Sequence, residues 1–292
     1  MLFRGVGTAM VTPMTENGIN YDKLRESVNR QIKNGADAIV LLGTTGEAPT
    51  ITEEEKKRII EEGVDEASGR VPVIAGCGTN DTATCIRLCE QAQKAGADGF
   101  LINNPYYNKS SDDGIYAHYK AVSDSVDKPI IVYNVPSRTG KNLSCELMLR
   151  LCEIKNVKAF KEAGGNISQI TRLCAEKPED VQVFSGNDDQ TLAVLSVGGE
   201  GVISTASNIL PQEYHDLVQA FFAGDIKKAR EIQFGLLRLH EVLFCECNPI
   251  PVKTAMNLMG LDMGIMRLPL VPLAGDKLEK LKTVLGEYGL LS

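Results

Sequence analysis

Short apolar runs recur along the whole chain and are separated by longer segments with helical spacing. The runs are continuous, without the apolar and polar alternation of a strand that has one face in water. Continuous runs are typical of parallel strands that are buried on both faces. There are eight of them, and each predicts a strand: Gly5–Val11, Ala38–Leu42, Val71–Ala75, Gly99–Ile102, Ile130–Tyr133, Val157–Phe160, Val181–Phe184 and Gly201–Ile203.

The segments between these runs carry the periodicity and boundary residues of α-helices. In the first segment, one helix face holds the apolar residues Leu24, Val28 and Ile32. Asp22 before them and Gly35 after them predict the start and end of that helix. Thr52 and Glu55 match a capping box at the start of the next one. Further helix starts are predicted near Asp81, Asp112, Ser144, Asn166, Asp188 and Pro211.

Strand and helix alternate at roughly 20 to 33 residues per unit, and eight such units match a (β/α)8 barrel, a TIM barrel of the α/β class. A doubly wound open sheet is the alternative. It is less favoured because the first strand-to-helix turn has no Gly-x-Gly-x-x-Gly fingerprint. We therefore predict a catalytic barrel over residues 1–224 and a C-terminal helical region over residues 225–292, which Pro249 and Pro251 interrupt.

Composition and charge narrow the functional classes. The 292 residues are 43% hydrophobic, which suffices for a large core, and the formal net charge is -7. Nucleic-acid binding is not expected, because it requires clustered Lys and Arg side chains. No apolar run has the length of a membrane span, and no signal peptide is recognised before the first strand. We expect a cytoplasmic protein whose partners are small substrates or other proteins.

The eight cysteines and three histidines predict no metal site. Cys85 and Cys89 lie one helical turn apart, Cys245 and Cys247 are separated by one residue, and neither pair has Cys-x-x-Cys spacing. Reduced thiols that pack as small hydrophobes are expected. Segments with helical spacing contain the histidines His118, His215 and His240. We expect them to be ordinary helix-face residues.

Lys161 is the candidate nucleophile. It follows the apolar run Val157–Phe160 and precedes Glu162–Gly165, a sequence that ends a strand and opens a loop. A lysine in a poorly solvated site loses part of its preference for the protonated state, and its neutral amine can attack a ketone carbon. Taken alone, a strand-end lysine is more often a solvated surface charge. In a barrel, however, Lys161 shares one mouth with residues that follow the other strands.

Two other strand ends carry groups suited to the same mouth. The turn Gly43–Glu47 offers the hydroxyls of Thr44 and Thr45 and backbone N–H groups that can hold a carboxylate. Tyr133 ends the fifth strand with a phenol that can relay protons. Arg138 on the following loop has the planar guanidinium that binds a carboxylate through two hydrogen bonds. Taken singly, Gly43–Glu47 is more often only a turn, Tyr133 a half-buried tyrosine with a satisfied hydroxyl, and Arg138 a solvated arginine.

Three segments resemble the signature segments of the dihydrodipicolinate synthase family in order and spacing: Gly43–Glu47, Tyr133–Gly140 and Phe160–Ala163. Asn248–Lys253 is similar to that family's C-terminal helical part, so the resemblance covers essentially the whole chain. It implies a Schiff-base lyase of the class I aldolase type that condenses pyruvate with L-aspartate-4-semialdehyde, on the route to diaminopimelate and lysine. No cofactor is implied, because the covalent imine between Lys161 and pyruvate is the electron sink.

The resemblance gives each matching residue a role. Lys161 forms the imine, and Tyr133 is the acid and base at the imine carbon, linked through Thr44 to Tyr107. Tyr107 lies in an aromatic loop, Asn103–Asn108, whose adjacent tyrosines suggest an interface. The family places Tyr107 in the neighbouring subunit's site, which implies a homotetramer built from dimers. Substrate contacts are assigned to Thr45 for the pyruvate carboxylate, to Arg138 for the semialdehyde carboxylate, and to main-chain groups of Gly186 and Ile203.

One departure from the family concerns inhibition by lysine. In inhibited relatives a lysine site at the dimer interface includes polar residues near positions 48–56, 80, 84 and 106. This chain has Ala48, Pro49, Glu53, Lys56, Asn80, Thr84 and Tyr106 there. Lys56 adds a cation, and Thr84 stands where a carboxylate would pair with the ammonium of the ligand. Weak or absent lysine inhibition is therefore predicted.

Two alternatives to the synthase are considered. A related lyase, such as N-acetylneuraminate lyase or a keto-deoxy sugar acid aldolase, would share the lysine and the tyrosine, but Arg138 favours a second substrate with a carboxylate. A barrel that only binds pyruvate or serves as a structural oligomer is disfavoured, because Lys161, Tyr133, Thr44 and Arg138 occur together.

Overall fold

The computed structural model describes residues 1–291 and contains a closed parallel barrel. Its strands are β1 (Gly5–Ala9), β2 (Met14–Thr15), β3 (Gly18–Ile19), β4 (Ala38–Leu41), β5 (Val73–Gly76), β6 (Gly99–Asn103), β7 (Ile130–Asn134), β8 (Val157–Glu162), β9 (Gln182–Ser185) and β10 (Gly201–Ser204). The order around the barrel is β1-β10-β9-β8-β7-β6-β5-β4, closed by pairing of β1 with β4. The predicted eight-stranded barrel is confirmed.

Helices follow the barrel strands on the outside and continue beyond the last strand. They are α1 (Tyr21–Lys33), α2 (Glu53–Ala67), α3 (Thr82–Lys94), α4 (Asp112–Ser125), α5 (Pro136–Thr139), α6 (Cys145–Leu151), α7 (Ile167–Glu176), α8 (Thr191–Ser196), α9 (Pro211–Phe222), α10 (Ile226–Gly235), α11 (Leu237–Leu243), α12 (Ile250–Leu258) and α13 (Gly275–Glu287).

The barrel interior is packed with side chains from alternate positions of the strands. Small and branched residues such as Ala38, Ile74 and Ala159 fill its centre. At its amino-terminal end Phe3 stacks on Phe184 with ring centroids 4.2 Å apart. A larger apolar cluster lies between the strands and the helices, which is why the strand runs are mostly apolar on both faces. Because the interior is filled, a substrate site is expected at one end of the barrel, and in TIM-barrel enzymes that is the carboxyl end of the strands.

Most predicted helix starts agree with the structure, and the first is displaced by two residues. Thr52 and Glu55 form the predicted capping box of α2. The N-cap of α1 is Asn20, whose side chain accepts a hydrogen bond from the Lys23 backbone N–H, and Asp22 lies within the first turn. Both residues suit a helix N-terminus, but Asn20 is the one with extended backbone outside the helix. His118 and His240 are buried, unlike the helix-face residues predicted.

The C-terminal helices pack against one side of the barrel. Their apolar residues, including Leu239 and Val252, form one cluster with Val6 of β1 and Val202 of β10. Because this cluster crosses the proposed boundary after residue 224, the division into two domains stays a prediction. The chain between α11 and α12 is non-helical at Asn248–Pro249, near the predicted break. The short hairpin of β2 and β3 was not predicted.

Candidate active site

Lys161 and Tyr133 lie side by side at the carboxyl end of the barrel. They are register partners on β8 and β7. The Lys161 Nζ atom lies 4.5 Å from the centre of the Tyr133 ring. Lys161 is 5% exposed and Tyr133 is 8% exposed. The strand β8 continues one residue past Lys161, to the buried Glu162. Lys161 is therefore held by strand hydrogen bonds on both sides and is not a solvated surface charge.

The environment of Lys161 favours the neutral amine. Burial lowers the pKa of Lys161 from 10.5 to about 8, since a charged group loses hydration when it is enclosed. The nearby Asp188 carboxylate opposes this lowering of the pKa, and the Arg138 guanidinium reinforces it. Near pH 7, roughly one amine in ten is then neutral, instead of about one in three thousand at the ordinary pKa. That fraction is available as a nucleophile.

The phenol of Tyr133 is kept protonated. Burial raises the pKa of Tyr133, and the Arg138 guanidinium and the adjacent Thr44 side chain partly oppose the rise. A protonated phenol beside an amine can donate a proton to an oxygen that leaves the carbon under attack and can later recover it. Tyr133 and Lys161, on neighbouring strands, are thus placed to serve as an acid and a nucleophile.

A chain of hydrogen bonds joins Thr45, Asn248 and Arg138 at the rim. The Asn248 Nδ2 atom donates to Thr45 Oγ1 at 3.0 Å, and the hydroxyls of Thr45 and Thr205 are 3.2 Å apart. The Arg138 Nη2 atom donates to the Asn248 backbone oxygen at 2.9 Å. Asn248 belongs to the C-terminal region, so that region contributes directly to the mouth.

Two adjoining cavities open at the mouth. The inner cavity, about 160 Å³, is lined by Lys161 together with five more of the predicted site residues, Thr44, Thr45, Tyr133, Arg138 and Gly186. The outer cavity, about 500 Å³, shares Thr44, Tyr133 and Arg138 with the inner one and extends towards α2 and α3. The inner volume suits a three-carbon acid, and the outer one can admit a second, larger substrate.

Gly186 and Ile203 differ in their relation to the inner cavity. A Cβ atom at Gly186 would lie 3.1 Å from Lys161 Cε and 2.8 Å from Ala163 Cβ, so a side chain there would crowd the amine. Ile203 is fully buried and packs in the barrel interior with Tyr133. Its side chain is not among those that line the cavity. Its assignment as a main-chain contact for substrate stays a prediction.

Tyr107 is not brought to Lys161 within one chain. It is 91% exposed and has a left-handed backbone, with φ of 69°. The side chains that line the two cavities include the neighbouring Tyr106 but not Tyr107. The predicted relay from Thr44 to Tyr107 therefore requires a second copy of the chain and stays a prediction.

Sequence reasoning did not assign a role in the site to Asp188, which was predicted only as a helix start. Its Oδ2 atom accepts hydrogen bonds from the backbone N–H groups of Thr205 and Ala206 at 3.1 and 3.0 Å. Its Oδ1 atom is buried and has no hydrogen-bond partner. The carboxylate is thus a fixed negative charge near the Lys161 amine. No local sequence signal distinguishes it from an ordinary helix-capping aspartate.

The described residues hold few alternative ligand sites. Within residues 1–291, no group of three or more His, Cys, Asp and Glu side chains is placed to bind a metal ion. All eight cysteines are free thiols; Cys85 and Cys89 are fully buried, whereas Cys247 is exposed beside Arg138. Over the same range, every helix is too short or too polar to cross a bilayer.

The barrel and its enclosed amine define a class, the lyases of the class I aldolase type. Comparison with known proteins makes the assignment more specific. The chain belongs to the Dihydrodipicolinate synthetase family, whose model matches residues 2–288.

Relatives and solved structures agree with that family. The 4-hydroxy-tetrahydrodipicolinate synthases of Clostridium tetani and Thermoanaerobacter pseudethanolicus are 49% and 48% identical over 291 residues. These alignments cover 99% of this chain and 99% and 98% of the two relatives. The crystal structure of dihydrodipicolinate synthase from Thermotoga maritima superposes with a TM-score of 0.97 at 44% identity and covers 100% of both chains.

Proposed function

We propose that the chain is a 4-hydroxy-tetrahydrodipicolinate synthase that condenses pyruvate with L-aspartate-4-semialdehyde through an imine at Lys161. The observation that carries the mechanism is the buried Lys161 amine, with its pKa lowered to about 8, beside the Tyr133 phenol. The full-length similarity to synthases of this name supports the choice of substrates. In biological terms the reaction belongs to lysine and diaminopimelate biosynthesis.

The first half of the reaction joins pyruvate to the enzyme. The neutral Lys161 amine attacks the ketone carbon of pyruvate, and the oxygen leaves as water after protonation by Tyr133. The Thr45 hydroxyl and nearby N–H groups hold the pyruvate carboxylate. Thr45 Oγ1 already accepts a hydrogen bond from Asn248, so its own proton is available for that carboxylate or for Thr205. The cationic imine lies near the fixed carboxylate of Asp188.

The second half forms the carbon–carbon bond. Loss of a methyl proton from the imine gives an enamine, and its terminal carbon attacks the aldehyde carbon of the semialdehyde, whose oxygen becomes a hydroxyl. The semialdehyde's own amino group then replaces the Lys161 nitrogen on the former ketone carbon. This step closes the ring and restores the free lysine, with one water lost overall. Arg138, exposed at the rim, binds the semialdehyde carboxylate.

The same proposal covers assembly and location. The exposed Tyr107 is suited to reach the mouth of a second copy, which supports a dimer as the active unit. The tetramer of two dimers rests on the family resemblance alone. The eight free thiols suit the reducing conditions of the cytoplasm. The substrates bind without a cofactor, because the imine itself supplies the electron sink.

Reductive trapping tests the imine. Enzyme mixed with pyruvate and borohydride should gain the mass of one pyruvate less its ketone oxygen, with the label on Lys161. Lys161→Ala should not be labelled. Lys158→Ala is the matched control, because Lys158 lies on the same strand but is only half-buried and pairs with Asp180 at 2.6 Å. Labelling that persists in Lys161→Ala contradicts the proposal.

A coupled assay tests the second substrate. Aspartate semialdehyde should be consumed together with pyruvate, whereas N-acetylneuraminate should not be cleaved. The opposite preference would assign the chain to the sugar-acid lyases. Binding of pyruvate without labelling or turnover would indicate a non-catalytic barrel.

A further inference from the structure

Two charged residues with no assigned role in this chemistry, Glu47 and Lys253, meet inside the protein. Glu47 ends the turn that carries Thr44 and Thr45, and Lys253 lies 206 residues later, on α12. The Lys253 Nζ atom donates to Glu47 Oε1 at 2.7 Å. Lys253 is 0% exposed, so this ion pair is fully enclosed. It links the C-terminal region to the turn behind the pyruvate site.

The ion pair is part of a closed set of contacts around the end of the turn. Lys253 Nζ also donates to the Thr12 backbone oxygen at 2.9 Å, and Thr12 Oγ1 donates to the Gly46 backbone oxygen at 2.8 Å. The second carboxylate oxygen of Glu47 accepts from the Arg267 backbone N–H at 3.3 Å. The last two residues of the turn are thus fixed from three directions.

The turn needs such support because its backbone is strained. Glu47 has a left-handed conformation, with φ of 57° and ψ of 33°, which is unfavourable for a residue with a side chain. Gly46 has no free space, since a Cβ atom there would lie 3.2 Å from Leu42 N, Met10 O and Thr12 Oγ1. The Glu47 N–H donates to the Thr44 backbone oxygen at 3.1 Å, so a shift of Glu47 reaches Thr44 directly.

We propose that Glu47 and Lys253 are positioning residues, which hold the Thr44–Thr45 turn in the geometry that pyruvate binding and imine formation require. This inference rests on the proposed roles of the two threonines. Stability alone is a poor explanation of the pair, because neutral side chains of similar shape often replace a buried ion pair without loss of stability. Neutral side chains would not, however, reproduce the charged hydrogen bond that connects α12 to the turn.

Two neutralising substitutions distinguish an effect on the geometry of the Thr44–Thr45 turn from an effect on the stability of the fold. Glu47→Gln keeps the shape of the side chain, and the double variant Glu47→Gln with Lys253→Met leaves no buried charge unpaired. The double variant should unfold at nearly the wild-type temperature. Its apparent KM for pyruvate should nevertheless rise about 10-fold or more, because small displacements of binding groups have large effects on rate. Reductive trapping should require correspondingly more pyruvate.

Asn156→Ala is the control for a general loss of stability. Asn156 is buried at the amino end of β8, far from the mouth, and its Nδ2 atom donates to Ser123 O and Val126 O at 2.9 and 2.6 Å. This variant should unfold more easily but bind pyruvate as the wild type does. If the double variant does not fold, Glu47→Gln alone is compared with Asn156→Ala at temperatures that give equal folded fractions.

One result would overturn the positioning role of Glu47 and Lys253, and a different result would overturn the imine mechanism. Folded Glu47 variants that are trapped at wild-type pyruvate concentrations would overturn the positioning role while leaving the imine intact. A wild-type enzyme that pyruvate and borohydride do not label would instead overturn the proposed mechanism, whatever the Glu47 variants do.

Discussion

The Lys161 Nζ atom lies over the Tyr133 ring, 4.5 Å from its centre, because the two residues are register partners on adjacent strands. Strand pairing, and not loop conformation, therefore sets the distance between the proposed nucleophile and the proposed acid. Groups placed by a sheet are held more rigidly than groups on loops, which suits a reaction that requires aligned proton transfers.

Tyr133→Phe should remove proton transfer and leave the binding site intact. We expect kcat to fall by a factor on the order of 10² or more, while pyruvate is still trapped on Lys161 at a reduced rate. Tyr119→Phe is the control, because Tyr119 is a buried tyrosine that donates to the Ile102 backbone oxygen on the outer side of the barrel. Equal turnover in Tyr133→Phe and wild type would remove Tyr133 from the mechanism.

Asp188 and Arg138 should move the pH dependence of imine formation in opposite directions. The rate should rise with pH and level off above about 8, where Lys161 loses its proton. Asp188 raises the pKa of Lys161, so Asp188→Asn should shift the midpoint to lower pH. Arg138 lowers that pKa, so Arg138→Met should shift the midpoint upwards. Single-turnover trapping from pH 6 to 10 measures both, and shifts of the same sign would contradict this electrostatic description.

Lys161→Met should stabilise the fold at neutral pH. A pKa of about 8 in the folded chain, against an ordinary 10.5, corresponds to a cost of roughly 3 kcal/mol at pH 7. Between these two values the unfolded chain binds more protons, so wild-type stability rises with pH across the window and the advantage of the variant shrinks. Chemical denaturation at pH 7 and pH 10 tests this. Lys158→Met, at a half-buried position whose amine pairs with Asp180, should change stability little. A Lys161→Met variant no more stable than the wild type would show that the pKa of the Lys161 amine is not lowered.

Lysine should inhibit weakly or not at all. The Glu53 carboxylate, which lines the outer cavity, is already paired with Arg87 at 2.8 Å. Lys56 lines the same cavity and would repel the two ammonium groups of lysine, while Thr84 offers them no charge. A steady-state assay with added lysine is the measurement, and inhibition at micromolar concentrations would disprove the prediction. Thr84→Glu should strengthen whatever inhibition exists.

The barrel could be predicted because burial on both faces makes most positions of each strand apolar. Ile130–Tyr133 has no charged residue and Val157–Phe160 has only Lys158, and both became strands. Asp22 was misjudged as a cap because the rule that favours acidic residues near a helix start holds inside the first turn as well. The hairpin of β2 and β3 has two residues per strand, which is too few to show any period.

The contacts that complete the site could not be predicted, because they join residues far apart in the sequence. Asn248 and Thr45 are 203 positions apart, and Asp188 lies near Lys161 only once the barrel has closed. Thr44, Tyr133 and Lys161 were identified as candidates because each lies at, or within two residues of, the end of a predicted strand. Residues that contact the site from the C-terminal region, such as Asn248, do not lie near the end of a strand and so are not marked in the sequence.

The ion pair between Glu47 and Lys253 also bears on when a newly synthesised chain can bind pyruvate. Translation proceeds from the amino terminus, so all eight barrel strands, the last of which ends at Ser204, are made before Lys253. A growing chain can therefore contain the Lys161 amine while the Thr44–Thr45 turn still lacks its contact with α12. On the proposed role of the ion pair, full affinity for pyruvate would be reached only after α12 has been made and has packed against the barrel.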